Sequence, residues 1–356
     1  MIRIQDHLNR IDADLYLKKM ARNYWLHLNP KNKTKKYSST SLIEICRKLY
    51  KDCSTPEYVA KYADGSTAKA HRHKKFFMLL KKNNFSFLRQ IILSPPSEFN
   101  NLRTEIFTKL EESDFLNIRG GKISQTQFGA LLSERLFNYK KFRSSVYCVQ
   151  MYIDLNFLLS SCPYCNDRTV EVVKKNVAAG AIPANIAYFD LDHFYPKSQN
   201  PYFALSFYNL VPSCNACNSK EKADMPFDIT THLHPYLSSF DDFYEFEFSS
   251  KLLLGVPASK IIFKPKTAQT FQNINDFNLE NRYDNRVEEI NTMVKYYQNY
   301  YKTLNTQIEK ELFIKYFTDI NPAVYDKKSI LKKNRSKLYR DVIKKVDVGN
   351  IIGIID

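Results

Sequence analysis

No stretch of this 356-residue chain approaches the run of about 18 uncharged apolar residues that a membrane-crossing helix needs. The best candidate, 146–159, is interrupted by Gln150, Asp154 and Asn156, so no span is expected. The opening Met1 to Arg10 alternates polar and apolar residues and lacks the apolar core of a secretory signal. A glycine-rich phosphate loop is missing as well. Gly120-Gly121 is followed by Lys122-Ile123 rather than by Gly-Lys-Ser/Thr, so the pair is read as a turn. There is no internal repeat, no low-complexity tract and no RNA-recognition signature. These absences lead to the expectation of a soluble, cytosolic protein that keeps its thiols reduced.

With 44% apolar residues, among them 24 Tyr and 25 Phe, the chain can fill packed cores, and its length admits two or three domains. Its net charge is +16, and the placement is uneven. Residues 1–150 carry 28 Lys and Arg against 13 Asp and Glu, whereas 151–356 are nearly balanced at 25 against 24. A second basic run, from Lys327 through Lys332, Lys333, Arg335, Lys337 and Arg340 to Lys345, crowds the C-terminus. A polyanion would be steered to the first segment and to this tail.

Helical patterns dominate the first 160 residues. Ser39 to Ser41 can cap a helix carrying Leu42, Ile45, Cys46 and Leu49, and Ser97 can start one carrying Leu102, Ile106 and Leu110. Ser124 with Gln127 reads as a capping box before the stripe Phe128, Leu131, Leu132, Leu136 and Tyr139. From Val146 to Phe157 a period-2 run suggests extended chain, followed by a β-branched stretch, Arg168 to Val173, and a loop with Ala179-Gly180 and Pro183. Ile186 to Asp192 reads as a strand, with 216–222 as a short helix. Further on, one amphipathic helix is expected from about Leu279 to Leu304 and another near Ser329 to Lys344.

Chemistry concentrates in the middle of the chain. Cys162 and Cys165, then 48 intervening residues, then Cys214 and Cys217 supply four thiolates at the spacing of two zinc knuckles. Four sulfurs close a tetrahedral Zn2+ shell, so that ion is expected to be structural. Cys46, Cys53 and Cys148 lack such partners and are read as buried thiols. Between the knuckles lies Asp190-Leu-Asp192-His193-Phe-Tyr-Pro196-Lys-Ser198, with Asn209 and Asn218 following. A histidine near its natural pKa can take a proton from water at neutral pH. A carboxylate and an amide oxygen can hold Mg2+ or Mn2+ and leave most of its sphere to water and phosphate. His193, Asp192 and Asn218 are of those types, Asp190 is an alternative ligand, and the Asn209 amide can bond backbone on two sides. Strict alternation sends His193 to the face opposite Asp192, so serving one site would require the strand to end or bulge there. His232 and His234 are read as packing or hydrogen-bonding residues, and His71 and His73 as facing solvent or phosphate.

In these residues the chain resembles the HNH endonucleases of the ββα-metal, or His-Me finger, superfamily. The shared elements are Cys162-Pro-Tyr-Cys165, Asp192-His193-Phe-Tyr-Pro196-Lys-Ser198, Asn209-Leu210 and Cys214-Asn-Ala-Cys217-Asn218-Ser-Lys220. The resemblance implies an α+β fold with a zinc-stapled ββα core. It implies His193 as general base, Asp192 and Asn218 as Mg2+ or Mn2+ ligands, Asn209 as the asparagine that fixes the loop, and Lys220 as a candidate for the substrate phosphate. Asn218 stands where the motif's name has histidine. The implied domains are a basic helical one at 1–144, the nuclease at 145–230 and a mainly helical region at 231–356. His234-Pro235-Tyr236, the helix after Leu279 and the Ser336-Lys337-Leu338 to Asp341 stretch are similar to HNH subunits of Septu-type anti-phage systems, also found beside retrons. That likeness implies a defence effector with an ATPase partner. The expected activity is cleavage of nucleic acid, DNA before RNA; the rivals are a non-catalytic zinc-ribbon binding module and an RNA-directed toxin nuclease.

Overall fold

A computed structural model of the chain describes residues 2–175, 184–248, 254–320 and 326–354. Helices build the N-terminal half: α1 (Ala13–Leu28), α2 (Leu42–Asp52), α3 (Thr67–Leu93, kinked at Lys82–Phe85) and α4 (Phe99–Phe107). Ser41 caps α2 by accepting from the Glu44 amide, and Ser66 caps α3 from Lys69, each satisfying an amide that the first helical turn leaves free. Strands β1 (Leu116–Arg119) and β2 (Lys122–Gln125) pair across Gly120 and Gly121, whose φ values of 54° and 75° suit glycine at a tight hairpin turn. Three short helices follow: α5 (Gln127–Leu131), α6 (Tyr139–Arg143) and α7 (Val146–Asp154).

The sheets are small and antiparallel. β3 (Leu159–Ser161), β4 (Thr169–Lys175) and β5 (Ala184–Tyr188) form one in that order. β6 (Asp190–His193) pairs with β7 (Leu210–Ser213), His193 opposite Leu210, and the short helix α8 (Ala216–Lys222) follows with π-type turns. β8 (Tyr244–Glu247) pairs with β9 (Ile262–Pro265), and α9 (Leu279–Asp284), α10 (Val287–Tyr301), α11 (Gln307–Ile320) and α12 (Ser336–Val346) complete the described chain. Buried apolar side chains from Ile2 to Ile352 form one contiguous cluster, so the helical segments pack onto the sheets. No helix among the described residues is long and apolar enough to cross a membrane.

Several elements differ from the sequence expectation. Thr126, not Ser124, caps α5: its hydroxyl accepts from the Gly129 amide, while Ser124 lies in β2. Val146 to Asp154 is helical, with Cys148, Val149, Met151 and Tyr152 buried; a helix that packs on several sides mimics alternation over short windows. The strand expected over 186–192 breaks at Phe189, where the chain leaves one sheet for the next. The single helix expected over 279–304 is two, parted at Asn285 and Arg286, and the last one begins at Ser336 after a 3-10 turn at Lys327–Lys332. The loop read at Ala179-Gly180 and Pro183 lies outside the described residues.

Candidate functional site

The two Cys-x2-Cys turns meet. The sulfurs of Cys162, Cys165, Cys214 and Cys217 all lie within 4.8 Å of one another and all four residues are buried, so they can hold a metal ion such as zinc. The 3.9 Å between the Cys165 and Cys214 sulfurs fits a tetrahedral edge of about 3.8 Å for 2.3 Å Zn–S bonds. Surrounding donors support thiolates: the Asp167 amide donates to Cys165 Sγ and the Cys214 amide to Cys162 Sγ, both at 3.4 Å. Arg282 donates to Cys217 Sγ at 3.4 Å, and the sulfurs raise its pKa. The C-terminal region thus reaches the cluster directly. Tyr283 donates to the Cys165 carbonyl at 2.5 Å, and Arg286 and Arg335 pair with buried Asp167 at 3.2 and 3.3 Å.

From this base the β6–β7 hairpin carries the loop 194–209. Asn209, fully buried, accepts from the Tyr195 amide at 2.8 Å and donates to the Tyr195 and Phe203 carbonyls, each at 3.1 Å. One amide side chain therefore closes both ends of the loop. His193, 7% exposed, is the last residue of β6, where the strand ends, and its Nε2 lies 3.0 Å from the Ala204 carbonyl oxygen. Since a carbonyl only accepts, Nε2 carries the proton; Nδ1 keeps its lone pair and has no hydrogen-bond partner among the described residues. Burial pushes the imidazole down to about 3 against the Ala204 bond, with Lys197 and Lys222 adding to the fall, so the ring is neutral at physiological pH. The Tyr139 ring meets His193 edge-on at 4.4 Å, and the Lys197 ammonium lies 5.0 Å from the Tyr139 ring.

The carboxylates have different surroundings. Asp192, 2% exposed, accepts the Tyr164 hydroxyl on Oδ2 at 2.6 Å and the Lys222 ammonium on Oδ1 at 2.9 Å. Asn218 does not reach it by a hydrogen bond. The Asn218 amide instead donates to Asp190 Oδ2 at 3.1 Å, alongside Asn215 at 3.3 Å and Ser219 at 3.4 Å. Asp190 and Asn218 are half-buried and can be reached by solvent. Lys220 is exposed on the same short helix, whereas Lys222 is interior. Lys222 was not singled out in the sequence because a lysine ending a polar helix reads as solvated; its spacing from Asn218, one turn on, was the available signal.

Helices from the first 154 residues buttress the hairpin and its loop. Tyr139 donates to the Leu191 carbonyl, Arg143 to Phe189, Tyr152 to Leu210, Tyr24 to Leu205 and Ser206 to Ile91 across the same contact. The basic tail is less available than its sequence suggested. Lys337 is buried in ion pairs with Asp241 and Asp341, Arg340 is fully buried, and Arg335 is engaged with Asp167 and Glu289. His73, expected to face solvent or phosphate, is fully buried, stacked on Phe128 at 3.6 Å and bonded to Tyr58; His71 is exposed. His232 stacks on Phe227 and pairs with Asp276, and buried His234 packs against Phe194.

Compared with protein-family models, curated proteins and solved structures, the chain matches none.

Proposed function

We propose that this protein is a metal-dependent endonuclease of the HNH type that hydrolyses phosphodiester bonds, with DNA as the preferred substrate. The observation that carries the proposal is the state of His193. Its Nε2 proton is committed to Ala204 and its Nδ1 lone pair has no hydrogen-bond partner among the described residues, which is the geometry a general base for water requires. Asn209 supports the role by fixing the loop that supplies Ala204, and the strand, loop, strand and helix order around it supports the reading of a ββα core. The four-sulfur cluster fits a structural Zn2+, closed to chemistry by its own ligands.

A hard cation needs oxygen donors. Asp190, the Asn218 and Asn215 amides and the Ser219 hydroxyl form such a set within hydrogen-bond reach of one another. Bound there, Mg2+ or Mn2+ would supply neutralisation of charge on the scissile phosphate. The chain's own part is to hold Nδ1 of His193 towards the attacking water and to shield it from bulk solvent beneath Tyr139. The excess positive charge of residues 1–150 would draw in a polyanion, with exposed Lys220 a candidate for a substrate phosphate. The setting we propose is a bacterial anti-phage defence system with an ATPase partner, on the motif resemblance alone.

The test is cleavage of plasmid DNA, single-stranded DNA and tRNA at one fixed salt concentration, with Mg2+ and with Mn2+. DNA cleavage supports the proposal. Cleavage of tRNA alone would favour the toxin nuclease, and binding without cleavage under any divalent ion or partner would favour the zinc-ribbon module.

A further inference from the structure

Lys222 is a buried cation for which the proposed reaction has no use. Its side chain is 1% exposed, and its ammonium lies 2.9 Å from Asp192 Oδ1, 2.7 Å from the His193 carbonyl oxygen and 5.0 Å from the Phe227 ring. With Tyr164 on its other oxygen, Asp192 is an interior counter-charge tied to the first cysteine turn. A divalent cation bound there would face an ammonium that cannot move into water, and buried like charges are strongly opposed. Asp190, two residues earlier, receives only neutral donors at 3.1 to 3.4 Å, each belonging to a group whose oxygen can turn towards a cation.

Resting on the nuclease reading, we infer that Asp190 with Asn218, and not Asp192, holds the hard cation, and that Lys222 and Asp192 are positioning residues. Their ion pair ties Tyr164 of the sulfur cluster to the backbone of His193, so the general base is aimed from beneath by a charge pair that never touches substrate. Asp190 lies at the start of β6 and Asn218 in the first turn of α8, both exposed enough to admit an ion and its waters.

Mn2+ binding to the zinc-loaded full chain, followed by the electron paramagnetic resonance of free Mn2+, separates the two carboxylates. Asp190→Asn is expected to weaken Mn2+ binding by about tenfold or more with an unchanged melting temperature. Asp192→Asn is expected to keep Mn2+ affinity within about twofold while lowering kcat and the melting temperature. Because Asp192→Asn leaves Lys222 unpaired and can fail to fold, the double variant Lys222→Met with Asp192→Asn removes both charges; it should keep Mn2+ affinity and lose kcat at unchanged KM. Loss of Mn2+ binding on Asp192→Asn or in the double variant, or its retention in Asp190→Asn, overturns the inference, as does a wild type that binds no Mn2+. A wild type that binds Mn2+ through Asp190 yet cuts no nucleic acid would leave the ligand assignment standing and remove the nuclease reading.

Discussion

Nε2 of His193 lies 3.0 Å from the carbonyl oxygen of Ala204, eleven residues further along the chain. This bond fixes the tautomer of the imidazole and makes the loop between β6 and β7 part of the general base. Whatever holds that loop should therefore control the reactivity of His193.

Asn209 is the residue that holds it. Asn209→Ala removes one acceptor and two donors from a fully buried site and strands the Tyr195 amide and carbonyl, while the Phe203 carbonyl keeps only the Ser206 amide. The expected cost is about 3 kcal/mol of stability, with a loss of cleavage larger than the loss of DNA binding. Hydrogen exchange at the Tyr195 amide should accelerate, and unchanged exchange would show that the loop is held by other means.

Zinc content and thiol reactivity give a second check. One Zn2+ per chain is expected, lost on replacing any of Cys162, Cys165, Cys214 or Cys217 by serine. Burial pushes the Cys46 thiol up to about 12 and those of Cys53 and Cys148 up to about 11, so these three should resist thiol reagents at neutral pH. A chelator should expose the four cluster thiols first. Seven equally reactive thiols before chelation would contradict the arrangement.

The C-terminal region should loosen when its hold on the sulfur cluster is cut. Asp167 is 3% exposed and pairs with Arg286 and Arg335, which are 27% and 23% exposed. Asp167→Asn should cost about 2 to 3 kcal/mol, less than a fully buried pair because both guanidinium groups reach water. Measured by hydrogen exchange, protection should fall in α9, α10 and α12 and stay unchanged in α2 and α3.

Acid should destabilise the fold from well above the carboxylate range. Burial pushes His7 down to about 4 and His234 down to about 3, whereas in the unfolded chain each titrates near 6.5. Below about pH 6.5 the unfolded chain then binds more protons than the folded one, so stability is full above that pH and falls as pH drops towards the folded values. The slope is about 1.4 kcal/mol per histidine per pH unit. His7→Gln or His234→Gln should flatten the melting temperature between pH 6.5 and 4, and a profile as steep as wild type would remove this cause.

What could be read from the sequence was local. Cysteine spacing was enough to anticipate one sulfur cluster, and Ser41 before Leu42 was enough to place α2, because each signal lies within a few residues of its effect. The break at Phe189 could not be read, since Tyr188 and Asp190 both suit a strand and only the pairing of β5 with β4 and of β6 with β7 separates them. Buried charges were the least legible. Lys222, Lys337 and Arg335 look like solvated lysines and arginines until Asp192, Asp241 and Asp167 arrive from 30, 96 and 168 residues away. Asp190 and Asp192 were distinguishable only through those partners.

The most direct measurement compares wild type with His193→Ala in one divalent buffer, reading plasmid cleavage, DNA binding and zinc content together. Cleavage should be abolished in the variant, with binding and one Zn2+ per chain retained. Cleavage that survives the loss of His193 would contradict the central claim.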